Sequence, residues 1–343
     1  MTEKISKEAT ASKGRILITG ATGAVGPRVV RSFLDAGCKV RTLSLDAPQA
    51  GTMADGLDVR IGDITDQQAV QAAMGDVDGV VHLAALLHIL DPPPEMQKEY
   101  ERINVGGTQT VVDAAIQLRV KRVVLFSTIA VYGHTGGGVI AEETPPRPDT
   151  FYAGTKLAAE RIVLGARRAD GKPLGAVLRL AAVYGARIKG NYQRLFQALA
   201  RGMFVPLGDG RNRRTVVYDR DVAEAATLVM SHPSAGGRIY NVSDGYYHTM
   251  AEIIGAMCHA LGRRPPPFSL PVSPVRFTAG MLEDAAQMIG LKSPIVRSTI
   301  DKYVEDIAVD GGLIQKELGF RPKFNLTDGW QDTVQEMRCA GRL

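Results

Sequence analysis

The chain has 343 residues, of which 45% are hydrophobic and 22% charged, with a formal net charge of +5. This composition excludes a disordered chain, and no apolar stretch is long enough to cross a bilayer, so we expect no membrane partner. The basic residues are scattered apart from "RNRR" at 211–214, which favours an anionic small molecule over nucleic acid as the partner.

The first 13 residues form a polar segment without the apolar core of a signal peptide, and we expect them to be a tail. The three cysteines show no metal-binding or redox spacing, and their odd number suits a reducing compartment. We therefore expect a cytoplasmic protein without a metal site. The cysteines are Cys38, Cys258 and Cys339.

A glycine-rich turn between the first strand and the first helix is the earliest element that points to a ligand. The predicted strand Ile16 to Thr19 runs directly into "GATGAVG", and a predicted helix follows that ends at Gly37. Glycines allow a tight turn and close approach of a pyrophosphate, while the helix N-terminus favours negative charge. The turn therefore predicts a dinucleotide site formed by Gly20, Gly23, Ala24, Val25 and Gly26.

Further apolar strands alternate with helices: "KVRTLSL", "DVRIGD", "GVVHLAA", "RVVLFST" and "GAVLRLAAVYG". Such alternation predicts an α/β fold, a Rossmann-type doubly wound parallel sheet with helices on both faces. We expect "RTVVYDRDVAEAATLVM" and "RIYNVSDG" to form a strand, a helix and a second strand by which the chain returns to this sheet. The proline-rich residues 261–300 are expected to belong to a loop-rich C-terminal lobe. The predicted division is a dinucleotide-binding domain of residues 14–183 with 214–243, and a smaller substrate-binding lobe of residues 184–213 and 244–335.

Tyr152 and Lys156 are four residues apart in "FYAGTKLAAE", which reads as a helix. Their side chains therefore share one helix face. An ammonium beside the phenol would lower the phenol pKa from its ordinary value of about 10. An isolated tyrosine and lysine at this spacing more often lie on the protein surface, so the function of this pair depends on the rest of the chain.

With the glycine turn, this pair and the spacing between them, residues 14–335 resemble the extended short-chain dehydrogenases/reductases, and more narrowly their nucleotide-sugar epimerase/dehydratase branch. The resemblance implies NAD as cofactor, without excluding NADP, and a homodimer formed through the helices around "VGGTQTVVDAAIQLR" and Tyr152. The motifs that carry it are "TGATGAVG" (19–26), "GDITD" (62–66), "VVHLAA" (80–85), "INVGGT" (103–108), "LFSTIAVYG" (125–133), "YAGTK" (152–156) and "RTVVYDRDVA" (214–223).

The resemblance implies a catalytic group of Thr128, Tyr152 and Lys156, in which a tyrosinate exchanges the proton of an alcohol. Ser44 stands where an acidic residue usually binds the ribose, and Asp46 or, for a phosphorylated cofactor, Arg41 would be the substitute. Further cofactor contacts are implied for Asp63, Ile64, Leu83, Ala84, Ala85, Asn104, Tyr152 and Lys156.

Ile129 and Ala130 follow Thr128, where the dehydratases of this family carry an Asp-Glu pair. The remaining groups suffice to oxidise a carbinol and reduce it again, which favours 4-epimerisation of a nucleoside-diphosphate sugar. On the substrate side, Arg214 is expected to clamp the diphosphate. His88, Thr128, Arg187 and Asn191 are further candidates for substrate contact.

Two other functions stay open. One is an alcohol dehydrogenase of the sterol or dihydroflavonol type, with which the C-terminal sequence and the aliphatic residues 265–291 are compatible. The other is a dinucleotide-sensing protein without catalysis. The presence of both Tyr152 and Lys156 argues against the sensor.

Overall fold

A computed structural model describes residues 14–49, 51, 56–87, 93–134, 136–288 and 296–343. The strands are β1 (Arg15–Thr19), β2 (Lys39–Ser44), β3 (Asp58–Ile61), β4 (Gly79–His82), β5 (Arg122–Thr128), β6 (Val139–Ile140), β7 (Gly175–Leu180), β8 (Ala182–Tyr184), β9 (Arg213–Arg214), β10 (Val216–Tyr218), β11 (Ile239–Val242), β12 (His248–Thr249) and β13 (Ala308–Val309).

The helices are α1 (Gly26–Asp35), α2 (Gln67–Met74), α3 (Met96–Tyr100), α4 (Gly107–Gln117), α5 (Phe151–Gly165), α6 (Asn191–Ala200), α7 (Asp219–Ser231), α8 (Met250–Leu261), α9 (Val272–Met288), α10 (Arg297–Val304), α11 (Gly312–Leu318) and α12 (Leu326–Cys339). A π-helical segment, Glu101–Gly106, joins α3 to α4, and short 3₁₀ turns span Ile129–Tyr132 and Pro233–Ala235. None of the helices in the described ranges is long and apolar enough to cross a membrane.

Seven strands form one parallel sheet in the order β3-β2-β1-β4-β5-β7-β11. One face is covered by α1, α7 and α11, whose apolar side chains share a core with that face of the sheet. The opposite face is covered by α2, α4 and α5. The sheet is therefore doubly wound, as predicted. Because the strands are parallel, all their carboxyl ends meet at one edge, where open α/β folds bind ligands.

The predicted strand over residues 175–185 is wrong, because it is two strands. The chain leaves the main sheet at Ala181, whose N–H still bonds to the carbonyl of Val242 in β11. The next residues form β8, which pairs with β10 outside the main sheet. Of the two strands expected to return to the main sheet, only β11 therefore joins it, while α7 packs on its face. Both strands are apolar because both pack in the interior, so composition does not reveal the break between them.

The expectation of a loop-rich segment at 261–300 is also wrong in part, because α9 and α10 lie within it. Pro271 precedes α9 and Pro274 lies in its first turn. The backbone N–H groups of a first turn have no partner within the helix, so proline is tolerated there. These prolines mark the start of a helix rather than its absence.

Candidate active site

The glycine turn after β1 forms a cradle of bare backbone. Gly20 has a φ of +69°, and a Cβ there would approach the Ala84 backbone to 2.7 Å. A Cβ on Gly26 would lie 2.0 Å from the carbonyl oxygen of Ala21, so glycine alone lets α1 start against the turn. Among the described residues no side chain caps this helix end, and its N–H groups and positive dipole end remain available. The cradle fits a pyrophosphate such as that of NAD.

The rest of the turn consists of small residues open to the cradle. Gly23 is exposed, and Ala24 and Val25 are half-buried between it and the first turn of α1. The N–H of Gly23 bonds to the carbonyl of Gly20 at 3.0 Å, and that of Gly26 to Gly23 at 3.2 Å. The five predicted residues thus lie together, and their contacts with the cofactor stay a prediction.

The second strand ends at Ser44, which is buried and accepts a hydrogen bond from the N–H of Thr22 at 3.4 Å. The Arg41 side chain is occupied elsewhere: its Nε donates to Asp58 at 2.6 Å and one terminal nitrogen donates to the carbonyl of Gly75 at 2.6 Å. The alternative in which Arg41 reaches a cofactor phosphate is therefore wrong. This arrangement favours NAD over its phosphorylated form.

Asp63 and Ile64 follow β3 at the same edge. Burial opposes ionisation of Asp63, but hydrogen bonds from Thr65 and the charge of Arg102 outweigh it and lower the pKa of the carboxyl. Ile64 is buried, and a Cβ on Gly107 would lie 2.5 Å from its side chain. Any contact between Ile64 and the adenine would therefore use its backbone.

The segment after β4 passes directly beside the glycine cradle. The N–H of Leu83 bonds to the carbonyl of Thr19 at 3.2 Å, and that of Ala84 lies 3.4 Å from the Thr19 hydroxyl oxygen. Leu83, Ala84 and Ala85 are half-buried. They lie where a cofactor held in the cradle would extend towards β5.

Thr128 and Tyr152 carry hydroxyl groups on two elements that pack together, β5 and α5. Thr128 is the last residue of β5, and its Oγ1 accepts a hydrogen bond from the N–H of Ala130 at 3.2 Å. The Thr128 hydroxyl is thus an acceptor towards the protein, which leaves its proton available to a ligand. Tyr152 lies in the first turn of α5, with its ring edge-on to Tyr100 and the ring centroids 6.4 Å apart.

Burial shifts the pKa values of Tyr152 and Lys156 in opposite directions. Although part of Tyr152 reaches solvent, burial of the phenol, with a smaller contribution from Tyr100, raises its pKa to about 12. Burial lowers the pKa of Lys156 to about 8, against the attraction of Glu160. The expected lowering of the Tyr152 pKa is therefore wrong for the protein's own groups, because burial of the phenol dominates. Opposed shifts of this kind are typical of proton-transfer sites.

His82 lies fully buried near Lys156. Its Nδ1 is 2.7 Å from the Thr19 hydroxyl, and its Nε2 is 3.0 Å from the Thr108 hydroxyl. Thr108 donates its own proton to the carbonyl of Asn104 at 2.6 Å, so it accepts from the ring and the imidazole proton lies on Nε2. Burial, together with the charge of Lys156, lowers the pKa of His82 to about 3. The imidazole is therefore neutral.

Asn104 connects the catalytic helix to the segment after β4. Its Oδ1 accepts from the N–H of Leu86 at 2.7 Å, and its Nδ2 donates to the Thr155 hydroxyl at 3.1 Å. Thr155 in turn donates to the carbonyl of Tyr152 at 2.9 Å. Asn104 is thus placed to position the first turn of α5. A direct contact between Asn104 and the cofactor stays a prediction.

A buried ion pair beside the catalytic group was not predicted. Glu160 and Arg179 are 1% and 2% exposed, and an Arg179 terminal nitrogen lies 2.7 Å from Oε2 of Glu160. Ser127, next to Thr128, donates to Oε1 of the same carboxylate at 2.5 Å. The signal in the sequence is that Glu160 lies four residues after Lys156, while Arg179 is a lone charge in an apolar strand. A charge in such a strand requires a buried partner.

Arg214, the candidate for the diphosphate clamp, is 9% exposed. One terminal nitrogen donates to the carbonyls of Lys302 at 2.5 Å and Tyr303 at 3.0 Å. Within the described ranges, its Nε and its other terminal nitrogen have no hydrogen-bond partner, so they remain available as donors. Burial raises the pKa of the neighbouring Tyr192 to about 12, and the charge of Arg214 opposes this rise. The guanidinium therefore lies close to the Tyr192 phenol.

The other substrate candidates are spread out. Asn191 is the exposed first residue of α6 and, with Tyr192 and Ala182, lines a cavity of about 230 Å³. Burial lowers the pKa of Arg187, and the positive charges of Arg342 and Arg28 lower it further. The structure places Arg187 on the side of α1, whereas Arg214 lies beside α6 and α10. His88 falls outside the described residues.

Comparison with known proteins connects this site to known chemistry. The sequence model of the NAD dependent epimerase/dehydratase family matches residues 16–243. The dTDP-glucose 4,6-dehydratase of Streptomyces griseus is 31% identical, over 93% of this chain and 92% of that protein. The UDP-glucose 4-epimerase of Vibrio cholerae is 28% identical, over 93% and 94%. The solved structure of MoeE5 in complex with UDP-glucose and NAD has a TM-score of 0.74 at 28% identity, over 95% of this chain and 99% of that one.

Proposed function

Since the chain belongs to the NAD dependent epimerase/dehydratase family and is an NAD-dependent enzyme, we propose that it epimerises a nucleoside-diphosphate sugar at C4. The observation that carries the proposal is the set of groups around Thr128. Thr128 ends β5, Tyr152 and Lys156 lie in the first turns of α5, which packs on β5, and apolar Ile129 and Ala130 follow Thr128. An elimination needs an acid and a base beside the reacting carbon, and these two positions supply neither.

The residues of the glycine cradle would hold NAD, whose chemistry would be to take a hydride from C4 of the sugar and to return it to the opposite face of that carbon; the positive charge of its oxidised form would favour the Tyr152 phenolate. Tyr152 takes the proton of the C4 hydroxyl during oxidation and gives it back during reduction, so the product is an isomer of the substrate. The Thr128 hydroxyl donates to the same substrate oxygen. Lys156 is protonated below its pKa of about 8 and stabilises the phenolate.

Arg214 supports the assignment of a diphosphate substrate. A guanidinium with two available donors suits a diphosphate, because its nitrogens form a rigid fork. In the Arg214→Ala variant the loss of a charge-assisted contact should cost ~1.5–3 kcal/mol, or roughly 10- to 150-fold in affinity. Affinity for NAD should not change.

Calorimetric titration with UDP and dTDP, in the presence of NAD, tests this assignment. Arg213→Ala is the matched control, because the Arg213 guanidinium is bound to Asp306 and should not contact the nucleotide. The control should retain its affinity, whereas Arg214→Ala should not. Absence of nucleotide binding by the wild type at millimolar concentration would remove the sugar-nucleotide assignment and favour the alcohol dehydrogenase.

A further inference from the structure

Exposed apolar side chains are concentrated on one part of the C-terminal half. Residues 203–208 run beside residues 268–272: Leu207 and Leu270 form a parallel bridge, and the N–H of Gly208 bonds to the carbonyl of Leu270 at 2.8 Å. Large apolar side chains on both segments and on α9 point into solvent. These exposed residues, called the apolar face below, are Met203, Val205, Phe268, Leu270, Phe277 and Met281.

The members of the apolar face are arranged to act together. The bridge between Leu207 and Leu270 brings the two segments that carry Val205 and Phe268 together, and a Cβ on Gly208 would lie 3.1 Å from Val272 at the start of α9. Phe277 and Met281 are one helical turn apart on α9 and share a face. Phe277 is 69% and Met281 60% exposed. Contiguous patches of this kind mark interaction sites on soluble proteins.

Three arginines border the apolar face and form a basic edge: Arg201, Arg263 and Arg264, all exposed. A Cβ on Gly202 would lie 3.3 Å from a terminal nitrogen of Arg263, which brings these arginines next to Met203. Within the described ranges, none of the three forms an ion pair. Asp284 lies on the same side of α9 as Phe277, and it is paired with Arg297 at 2.5 Å. Arg297 is shared with Glu283, Asp301 is paired with Arg276, and Asp209 with Arg211. Together with the three arginines of the basic edge, these charges leave the surroundings of the apolar face net positive.

We propose that the apolar face and the basic edge dock on the surface of an anionic lipid bilayer. Elements that bind membrane surfaces combine an exposed apolar side with arginine or lysine beside it. Each basic residue near an anionic surface strengthens binding about fivefold. A second copy of the chain would bring the same three arginines to the contact, so charge favours lipid over self-association. This contact is peripheral and is independent of the reaction proposed above. It departs from the sequence-based expectation of no membrane partner, which rested on the lack of a spanning stretch and not on the surface of the fold.

Co-sedimentation of the full-length protein, with NAD present, tests the proposal. The vesicles are phosphatidylcholine alone, or phosphatidylcholine mixed with phosphatidylglycerol. Wild type should bind the mixed vesicles and dissociate at high salt. A Phe277→Asp/Met281→Asp double variant should not bind, and Arg263→Glu should bind at least about fivefold more weakly. NAD affinity and circular dichroism should be unchanged in all variants.

Matched controls are Ile61→Asp, on the exposed edge strand β3, and Lys39→Glu, an exposed cation at the start of β2. Both should bind vesicles as the wild type does. The proposal is overturned if wild type does not bind mixed vesicles, or if the double variant binds as well as the controls. It is equally overturned if the apolar face instead holds an oligomer together, that is, if the wild type is an oligomer that does not bind lipid and the double variant is a monomer.

Discussion

Neutralising Glu160 is the perturbation for which the structure predicts two separate effects. Glu160→Gln removes the charge that faces Arg179 and keeps an acceptor for Ser127. Arg179 is 2% exposed, so its guanidinium would be left buried without a counter-charge. Removing one partner of a buried ion pair costs ~3–5 kcal/mol, a large part of the ~5–15 kcal/mol that stabilises a typical domain.

The second effect reaches Lys156. Burial lowers the Lys156 pKa to about 8 and the Glu160 charge works against that lowering. Without the Glu160 charge, the pKa of Lys156 should fall further. The alkaline limb of the pH profile of kcat should then move to lower pH, because Lys156 loses the proton that stabilises the phenolate.

Urea unfolding, followed through the fluorescence of Trp330, the single tryptophan, measures the first effect. The control Asp301→Asn breaks the exposed Arg276–Asp301 pair and should cost below about 1 kcal/mol. Replacing both Glu160 and Arg179 by methionine should recover much of the stability but keep the altered pH profile. A Glu160→Gln loss as small as that of Asp301→Asn, with an unmoved alkaline limb, would refute this reasoning.

Three further predictions concern catalysis, pH and assembly. Tyr152→Phe should lower kcat by on the order of 100-fold or more while NAD affinity is retained, and steady-state kinetics with near-native turnover would contradict its role. The His82 pKa of about 3 lies below the ordinary value of about 6.5, so only the unfolded chain takes up this proton between those values. Through this residue, the free energy of unfolding should fall by ~1.4 kcal/mol for each unit by which the pH drops in this range. Urea unfolding of His82→Gln should show a flatter pH dependence than that of the wild type, and equal pH dependences of the two proteins would contradict the prediction. Sedimentation at micromolar concentration should give a homodimer, since Ile116 on α4 and Phe151 on α5 are exposed apolar residues, whereas a mass of 36.8 kDa would mean a monomer.

The sheet was predictable because burial on both faces leaves parallel strands uniformly apolar. The cofactor cradle was predictable because a backbone turn this close to Ala84 requires glycine at Gly20. The helix that carries Tyr152 and Lys156 was predictable from the sequence, and the approach of their two side chains stays a prediction. Each of these features is determined by residues close together in the chain, which is why it can be predicted from the sequence.

Other features depend on distant contacts. The break at Ala181 lies between two buried strands, so no polar residue marks it. The pKa of Tyr152 rises because of burial, which helical spacing does not report. Arg187 and Arg214 were both assigned to the substrate side, yet the fold gives them different neighbours. The ion pair of Glu160 joins a helix to a strand, and only the assembled sheet brings its ends together.

The central claim is that C4 of a nucleoside-diphosphate sugar is oxidised and then reduced within one binding event. The most direct measurement uses UDP- and dTDP-hexoses that carry deuterium at C4, incubated with the protein and analysed by NMR and mass spectrometry. The account predicts a product inverted at C4 that retains the deuterium and the substrate mass, with no accumulation of NADH. Deuterium in released NADH together with a ketone, or a product lighter by one water, would contradict it.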